Sequence, residues 1–562
     1  MTQTLRASFV ECSGRERAVK LLDDGTYKEL LSPFDGVESP HLEPQGIVPQ
    51  SDDGVIVAKG TINEQQAVVI SIEGSFQGGG IGEVSGAKIA GALEIALKQC
   101  ESGTKVIPVL VFDTGGVRLQ EANYGLLSIA EIGAAIVALR RYVPVIAVIP
   151  GKIGAFGGMS ITAGLCSAII MTKEGRLGLN GPEVIEQEAG IREFDSKDRP
   201  LIWAVIGGEQ RTAAGFADLL IEDDTESIKE AVFCMIKSGA MFAPRTEQVE
   251  RYEAFLNQLD LSQRLTPEDV RRLWGEPSQK TVEENQSLSE NIKSKGRGQI
   301  WFDLLRDGAP EISNVPSVRV ADALIGETKV RYIAVVPDVQ SRFSRARNGE
   351  VGLREGWTIA KYVREAIQED QNGEKRAIVA IVDVPSQAYG YHEELLGIHQ
   401  ACAAAVDAYA SARLNGHPVV SFIPGNAISG AFLSHGMQAH RLIALRDPGV
   451  TVHVMSKKSA ARITHRSLEE LEVATKKVTA MAYDIESFEK LGALHSLVDG
   501  AEADSPELKD RDMIYKEVKE AIEDIKMIGS TGLEVRLTSP LAQGGGRAAS
   551  ILVRKKLNEQ WS

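Results

Sequence analysis

The chain has 562 residues, 43% hydrophobic and 25% charged, and its 77 Asp and Glu against 62 Lys and Arg leave a net charge of −15. This is an ordinary globular composition, and at roughly 100–200 residues per domain the length allows two to four domains. The acidic balance argues against a chain that wraps nucleic acid or coats anionic lipid.

Taken in chain order, residues 67–73, 106–113, 143–149 and 168–172 are short β-branched runs that read as buried strands. Between them, residues 83–99 and 124–141 carry small and apolar residues at three- and four-residue spacing, which predicts helices. The alternation predicts an α/β architecture with parallel strands. The pattern then returns. Residues 377–384 form an apolar strand that ends at an Asp, residues 393–414 an Ala-rich helix, and His417-Pro418-Val419-Val420 a further strand before Pro424-Gly425. Asp383 follows Asp113 by 270 residues, and Pro418 and Pro424 follow Pro144 and Pro150 by 274 each. A near-constant offset implies two copies of one fold. Between the copies, residues 246–299 are polar, with Pro267, Pro277 and the run Lys293-Ser294-Lys295-Gly296-Arg297-Gly298. They read as a partly helical linker between domains 1–245 and 300–562.

Cys12, Cys100, Cys166, Cys234 and Cys402 are scattered, with no C-x-x-C pair, which argues against a disulfide framework or a zinc ribbon. The histidines show no ligand spacing, and no metal is expected. Residues 1–20 lack a basic stretch followed by an apolar core, and no run reaches about 18 uninterrupted apolar residues. The expectation is a cytoplasmic enzyme or enzyme subunit that requires no membrane.

Three glycine-rich turns carry chemistry in the first copy. Residues 76–88 (FQGGGIGEVSGAK) include Gly78, Gly79, Gly80 and Gly82, follow a strand and open a helix. Such a loop lets backbone approach a ligand and offers N–H groups to an anion. A tight strand-to-helix turn is the plainer alternative. Lys88 could meet a phosphate, or be a solvated helix lysine. Asp113-Thr114-Gly115-Gly116-Val117-Arg118 and Gly154-Ala155-Phe156-Gly157-Gly158 are two further turns, which together could supply the paired N–H donors of one oxyanion hole. In the second copy, Ser386-Gln387-Ala388-Tyr389 and Ser429-Gly430-Ala431 stand in equivalent places and suggest a second pair.

The first half resembles the β carboxyltransferase domain of acetyl-CoA carboxylases through these turns and the later Gly178-Leu179-Asn180-Gly181-Pro182-Glu183 run. The second half resembles the α domain through Ala388-Tyr389-Gly390, Glu393-Glu394 and Ser429-Gly430-Ala431. Both belong to the crotonase-like superfamily, whose ββα spiral is the expected fold of each domain. Residues 382–390 and 345–352 look more closely like the γ subunit of biotin-independent malonate decarboxylase, and the first half like its β subunit. The missing zinc ribbon and the absence of a Met-Lys-Met biotin-attachment motif agree with that choice.

The resemblance implies decarboxylation of a malonyl thioester held on the CoA-derived prosthetic group of an acyl carrier protein, with no biotin and no cofactor bound in this chain. It implies an acyl carrier protein subunit and a malonate/acetyl transferase (α) subunit as partners, and a homo-oligomer. Gly116, Val117, Gly157 and Gly158 are expected to hold the enolate oxygen. Ala388, Tyr389, Gly430 and Ala431 are expected near the departing carboxylate. Gly78, Gly79, Gly80, Gly82, Lys88, Gln387 and Ser429 are expected to contact substrate. The proton for the enolate is left open among water, Tyr389, His392 and Glu393. The alternatives are a carboxyltransferase component working with biotin on a separate carrier, and a non-catalytic scaffold.

Overall fold

The computed structural model describes residues 6–238, 244–275 and 296–561. Pro277 and Lys293–Lys295 of the expected linker lie outside the described residues. The chain forms two compact units. Unit 1 takes Met1–Arg245 together with Lys457–Met481 and Arg547–Ser562, and unit 2 takes Thr246–Ser456 and Ala482–Gly546.

The core of unit 1 is a seven-stranded sheet in sequential order: β1 (Lys28–Leu30), β2 (Val55–Ile62), β3 (Gln65–Ile72), β4 (Ile107–Val111), β5 (Ile146–Ile149), β6 (Ala168–Met171) and β7 (Leu219–Leu220). The first three pair antiparallel, and from β3 onward all pairs are parallel. Strands β4, β5 and β6 are buried throughout, as apolar runs covered on both faces must be. The crossovers are α1 (Glu83–Glu101) after β3, α2 (Ala122–Leu139) after β4 and α3 (Gly158–Leu165) after β5. Across residues 119–139 the chain is apolar and long enough to cross a membrane, but 94% of its apolar window is buried in the fold.

Two distant segments complete this unit. Helix Ala548–Trp561 lies along α1. Gly91 permits that approach, since a Cβ there would stand 3.0 Å from Leu557 Cδ1 and 3.1 Å from Arg554 Cγ. Arg547 pairs with the buried Glu131 of α2 at 2.8 Å, and Arg554 bridges Glu94 and Glu131, also at 2.8 Å. Burial alone would raise the Glu131 pKa; the two arginines outweigh it and hold it below its ordinary value. Segment 457–481 docks through Ser459, which accepts from Gln187 Nε2 at 3.0 Å.

Unit 2 repeats the plan. An antiparallel hairpin, β8 (Val318–Ile325) and β9 (Thr328–Val335), leads through α4 (Leu353–Glu369) to β10 (Ala377–Ile381), then through α5 (Ile398–Leu414) to β11 (Val419–Ile423). The pairs β9–β10 and β10–β11 are parallel. A short strand β12 (Asn426–Ile428), helix α6 (Ser429–Ser434), β13 (Arg441–Leu445), β14 (Thr451–His453) and β15 (Leu494–Val498) follow, giving a six-stranded sheet ordered β15-β13-β11-β10-β9-β8. Residues 246–299, expected as a partly helical linker, include helices Val249–Asn257 and Pro267–Gly275, which pack as part of this unit.

The aspartates that end the two repeat strands have one job. Asp113 Oδ1 accepts from Ile153 N at 2.6 Å while Oδ2 accepts from the buried Arg17 at 2.9 Å. Asp383 Oδ1 accepts from Asn426 N at 3.0 Å. Each carboxylate ties the turn it begins to the turn of the next layer.

Candidate active site

In unit 1 the three glycine turns stack as successive rungs. Ile81 bridges Val117, Thr114 bridges Ala155, and Ala155 bridges Leu177, all parallel. Gly116 and Gly157 stand back to back, so that a Cβ on Gly157 would lie 3.3 Å from Gly116 Cα. Gly116 has φ +102° and Gly157 φ +55°, a region that side chains other than Gly rarely adopt. The Gly116 N–H is spent on Thr114 Oγ1 at 3.0 Å and the Gly157 N–H on Leu179 O at 3.0 Å. The next residues differ. Among the described residues neither the Val117 N–H nor the Gly158 N–H, at the start of α3, has an acceptor. Two unpartnered backbone donors on two touching turns are the arrangement that receives an oxyanion.

The glycine loop supports this pair. A Cβ on Gly79 would stand 2.1 Å from Asp113 O, and one on Gly82 2.2 Å from Glu121 Oε2. The Gly79, Gly80 and Gly82 N–H groups are taken by Phe76 O, Gln77 O and Ser85 Oγ, and Gly78 O accepts from Gly115 N at 2.8 Å. These glycines allow close packing on the Asp113–Gly116 turn, and among them only the Gly78 N–H has no acceptor in the described residues. Lys88 departs from expectation. It is neither solvated nor open to a phosphate: it is buried, and Nζ donates to Leu31 O and Asp52 O, both at 3.0 Å. Burial pulls its pKa down to about 8.

Arg118, directly after Val117, is clamped by Asp53 at 2.6 Å and Glu121 at 2.7 Å. Glu121 also accepts from Glu83 N at 3.1 Å and Ser39 Oγ at 2.8 Å. Burial, more than Arg118 offsets, raises the Asp53 pKa. His41, which the motifs did not signal, joins this charge network beside Glu121 and Asp53. Its Nε2 lies 2.6 Å from Glu83 Oε2 and its ring stacks on Tyr124. Burial disfavours its charge, but Glu83 outweighs that and raises its pKa.

Unit 2 has the matching rungs Val351–Gln387 and Val384–Ala427. Ala388 N donates to Val351 O at 3.0 Å, just as Arg118 N donates to Ile81 O at 2.9 Å. The register therefore places Gln387, not Ala388 or Tyr389, where Val117 stands. Ser429 has φ +54°, close to Gly157, which aligns Gly430 with Gly158. The Gly430 N–H is not open: it donates to Gln387 Oε1 at 3.1 Å. The expected second pair of free donors is thus closed at Gly430 by a side chain. His392 Nε2 accepts from Leu265 N at 3.1 Å.

The malonate decarboxylase gamma subunit family matches residues 346–561, and the carboxyl transferase domain family matches residues 13–273. The malonyl-S-ACP:biotin-protein carboxyltransferase MADC of Malonomonas rubra is 38% identical over 311 residues, which cover 53% of this chain and 98% of that protein. This chain belongs to the malonate decarboxylase and carboxyltransferase family. A second relative, the malonyl-S-ACP:biotin-protein carboxyltransferase MADD of the same organism, is 34% identical over 249 residues, 43% of this chain and 82% of its own length. A crystal structure of a Pseudomonas malonate decarboxylase hetero-tetramer in complex with malonate has a chain 56% identical, covering 48% of this chain and 98% of that one at a TM-score of 0.48. The β-like and γ-like parts of the malonate decarboxylase family stand here in one polypeptide, each as an α/β unit on a largely parallel sheet.

Proposed function

We propose that this chain removes CO2 from a malonyl thioester carried on an acyl carrier protein and leaves the acetyl thioester. The unpartnered Val117 and Gly158 N–H groups carry the reading. Breaking the bond between the α-carbon and the carboxyl carbon sends its electron pair into the thioester, where charge gathers on the carbonyl oxygen. Fixed donors aimed at that oxygen favour the enolate over the ground state, and one such donor is worth about 10²- to 10³-fold in rate. Water then supplies the proton to the α-carbon, which fits a His392 whose Nε2 is already used as an acceptor. Membership of the malonate decarboxylase family and the malonyl-S-ACP named for both Malonomonas rubra relatives support the substrate. A complex with an acyl carrier protein and an acyl transferase subunit, in the cytoplasm, belongs to the same proposal.

A second reading is favoured by those relatives' names, which specify transfer to a biotin protein. In it the carboxyl group passes to a biotin borne on another chain, the Met-Lys-Met attachment motif being absent from this sequence. Purified full-length protein given malonyl-pantetheine with and without biotin separates the two. CO2 and acetyl-pantetheine without biotin are expected; turnover only with biotin establishes the second reading.

A further inference from the structure

The two repeats differ at one point that bears on which reaction the chain performs. In unit 1, Val117 and Gly158 leave their N–H groups open among the described residues, and the valine side chain has no polar atom with which to fill the space. In unit 2 the same rung carries Gln387 and Gly430. The backbone pattern is preserved: Val351 N donates to Ser386 O at 3.0 Å where Ile81 N donates to Gly116 O at 2.8 Å. The buried Gln387 nevertheless turns its amide oxygen onto the Gly430 N–H at 3.1 Å. An amide oxygen is a carbonyl oxygen, the same kind of acceptor that a thioester or a urea would present.

Direct loss of CO2 and transfer of the carboxyl group make different demands. In direct loss, the C–C bond breaks, CO2 departs and a proton from water reaches the α-carbon. One oxygen gathers charge, and one pair of donors is enough. In transfer to the ureido nitrogen of biotin, the C–C bond breaks and an N–C bond forms, and the ureido N–H proton goes to the α-carbon. The ureido oxygen gathers charge as that nitrogen loses its proton, so a second set of donors is needed. We propose that Gln387 is a specificity-determining residue: its side chain occupies the unit 2 turn as a built-in carbonyl, closing it to a urea and committing the chain to release of CO2. The proposal rests on the thioester reading above for its consequence and on the unit 2 geometry alone for the closure.

The test uses full-length wild type, Gln387→Ala and Gln387→Val, the last restoring the residue of unit 1. Amide hydrogen exchange at Gly430 reads the closure without any turnover. Exchange about 10-fold or more faster in both variants is expected, with protection regained on adding 2-imidazolidone, the urea ring of biotin. Malonyl-pantetheine labelled in its free carboxyl group, with free biotin present, reads the consequence as the ratio of labelled carboxybiotin to labelled CO2. Wild type should give CO2 alone, and the variants should raise the ratio at least about 10-fold, a change of 1.4 kcal/mol in partition. Unchanged Gly430 exchange in folded variants overturns the closure. Carboxybiotin formed by wild type at the variants' ratio, or variants that open the turn and bind the urea yet leave the ratio unchanged, overturn the specificity role. Wild type inert toward the thioester under both conditions defeats the functional reading instead, and the exchange result still decides the closure.

Discussion

Gly116→Ala is the sharpest probe of the proposed oxyanion hole. At φ +102° a Cβ would stand 2.9 Å from Phe156 O and 3.1 Å from Gly157 Cα, both backbone atoms that cannot swing aside as a side chain could. Two costs follow. The left-handed conformation costs a residue with a Cβ about 1–3 kcal/mol. The contact also pushes the Gly116–Val117 turn away from the Gly157–Gly158 turn by a few tenths of an ångström, and misplacing catalytic groups by about 1 Å costs about 10²-fold. Gly78→Ala separates these effects, because Gly78 has φ +63° but a Cβ there would meet nothing within 4 Å. Thermal melts and initial rates of CO2 release from malonyl-pantetheine are then compared. Both variants should melt a few degrees lower, at about 2–4 °C per kcal/mol for a unit of this size. Gly116→Ala alone should lose about 10-fold or more in kcat with KM within about 3-fold, the mark of an interaction made only in the transition state. Equal kcat losses in the two variants, or a folded Gly116→Ala at wild-type kcat, would refute the assignment of the hole.

Three further outcomes follow from the geometry. Lys88 titrates at about 8 in the folded chain against about 10.5 unfolded, so the unfolded state holds more protons between those values and stability should rise with pH from about 8 to 10. Urea unfolding across that range should show the rise in wild type and not in Lys88→Met. Ser429→Gly relieves a left-handed non-glycine residue and should stabilise unit 2 by about 1 kcal/mol, measured as a raised denaturation midpoint; an unchanged or lowered midpoint would show that the serine side chain is held by compensating contacts. Arg547→Gln leaves Glu131 buried beside Arg554 alone and should cost about 3–5 kcal/mol. Hydrogen exchange should quicken in α1 and α2 and stay unchanged in β10 and α5; uniform loss of protection would contradict the unit assignment.

Much of this architecture is legible in the sequence because it is local. The apolar run expected over residues 168–172 is strand Ala168–Met171, and the helix expected over 83–99 is Glu83–Glu101. The helix expected over 393–414 is instead two, Tyr391–Leu395 and Ile398–Leu414, parted where Gly397 takes φ +79°. The glycine turns are also legible, since positive φ and close backbone approach both demand glycine. Which N–H groups stay open is not: Gly116 and Gly157 lose theirs to Thr114 and Leu179 through contacts that composition does not encode. Lys88 reads as solvated because its partners are main-chain carbonyls, which leave no trace in a pattern of side chains. The membership of segments 457–481 and 547–562 in unit 1 depends on pairings such as Arg547 with Glu131, more than 400 residues apart, and no local period reports such a distance.

The late position of Arg547 and Arg554 in the chain bears on how the protein is made. Unit 1 is translated first, yet the arginines that neutralise Glu94 and Glu131 emerge only after unit 2 has been threaded out. At about 5–20 residues per second, the interval between Arg245 and Arg547 is on the order of 15–60 s. Through that time the nascent first unit carries an uncovered face on α1, with Gly91 as a bare notch and two unmatched carboxylates nearby. The fused chain guarantees that the matching helix arrives on the same polypeptide, at a local concentration that separately translated subunits would have to reach by diffusion.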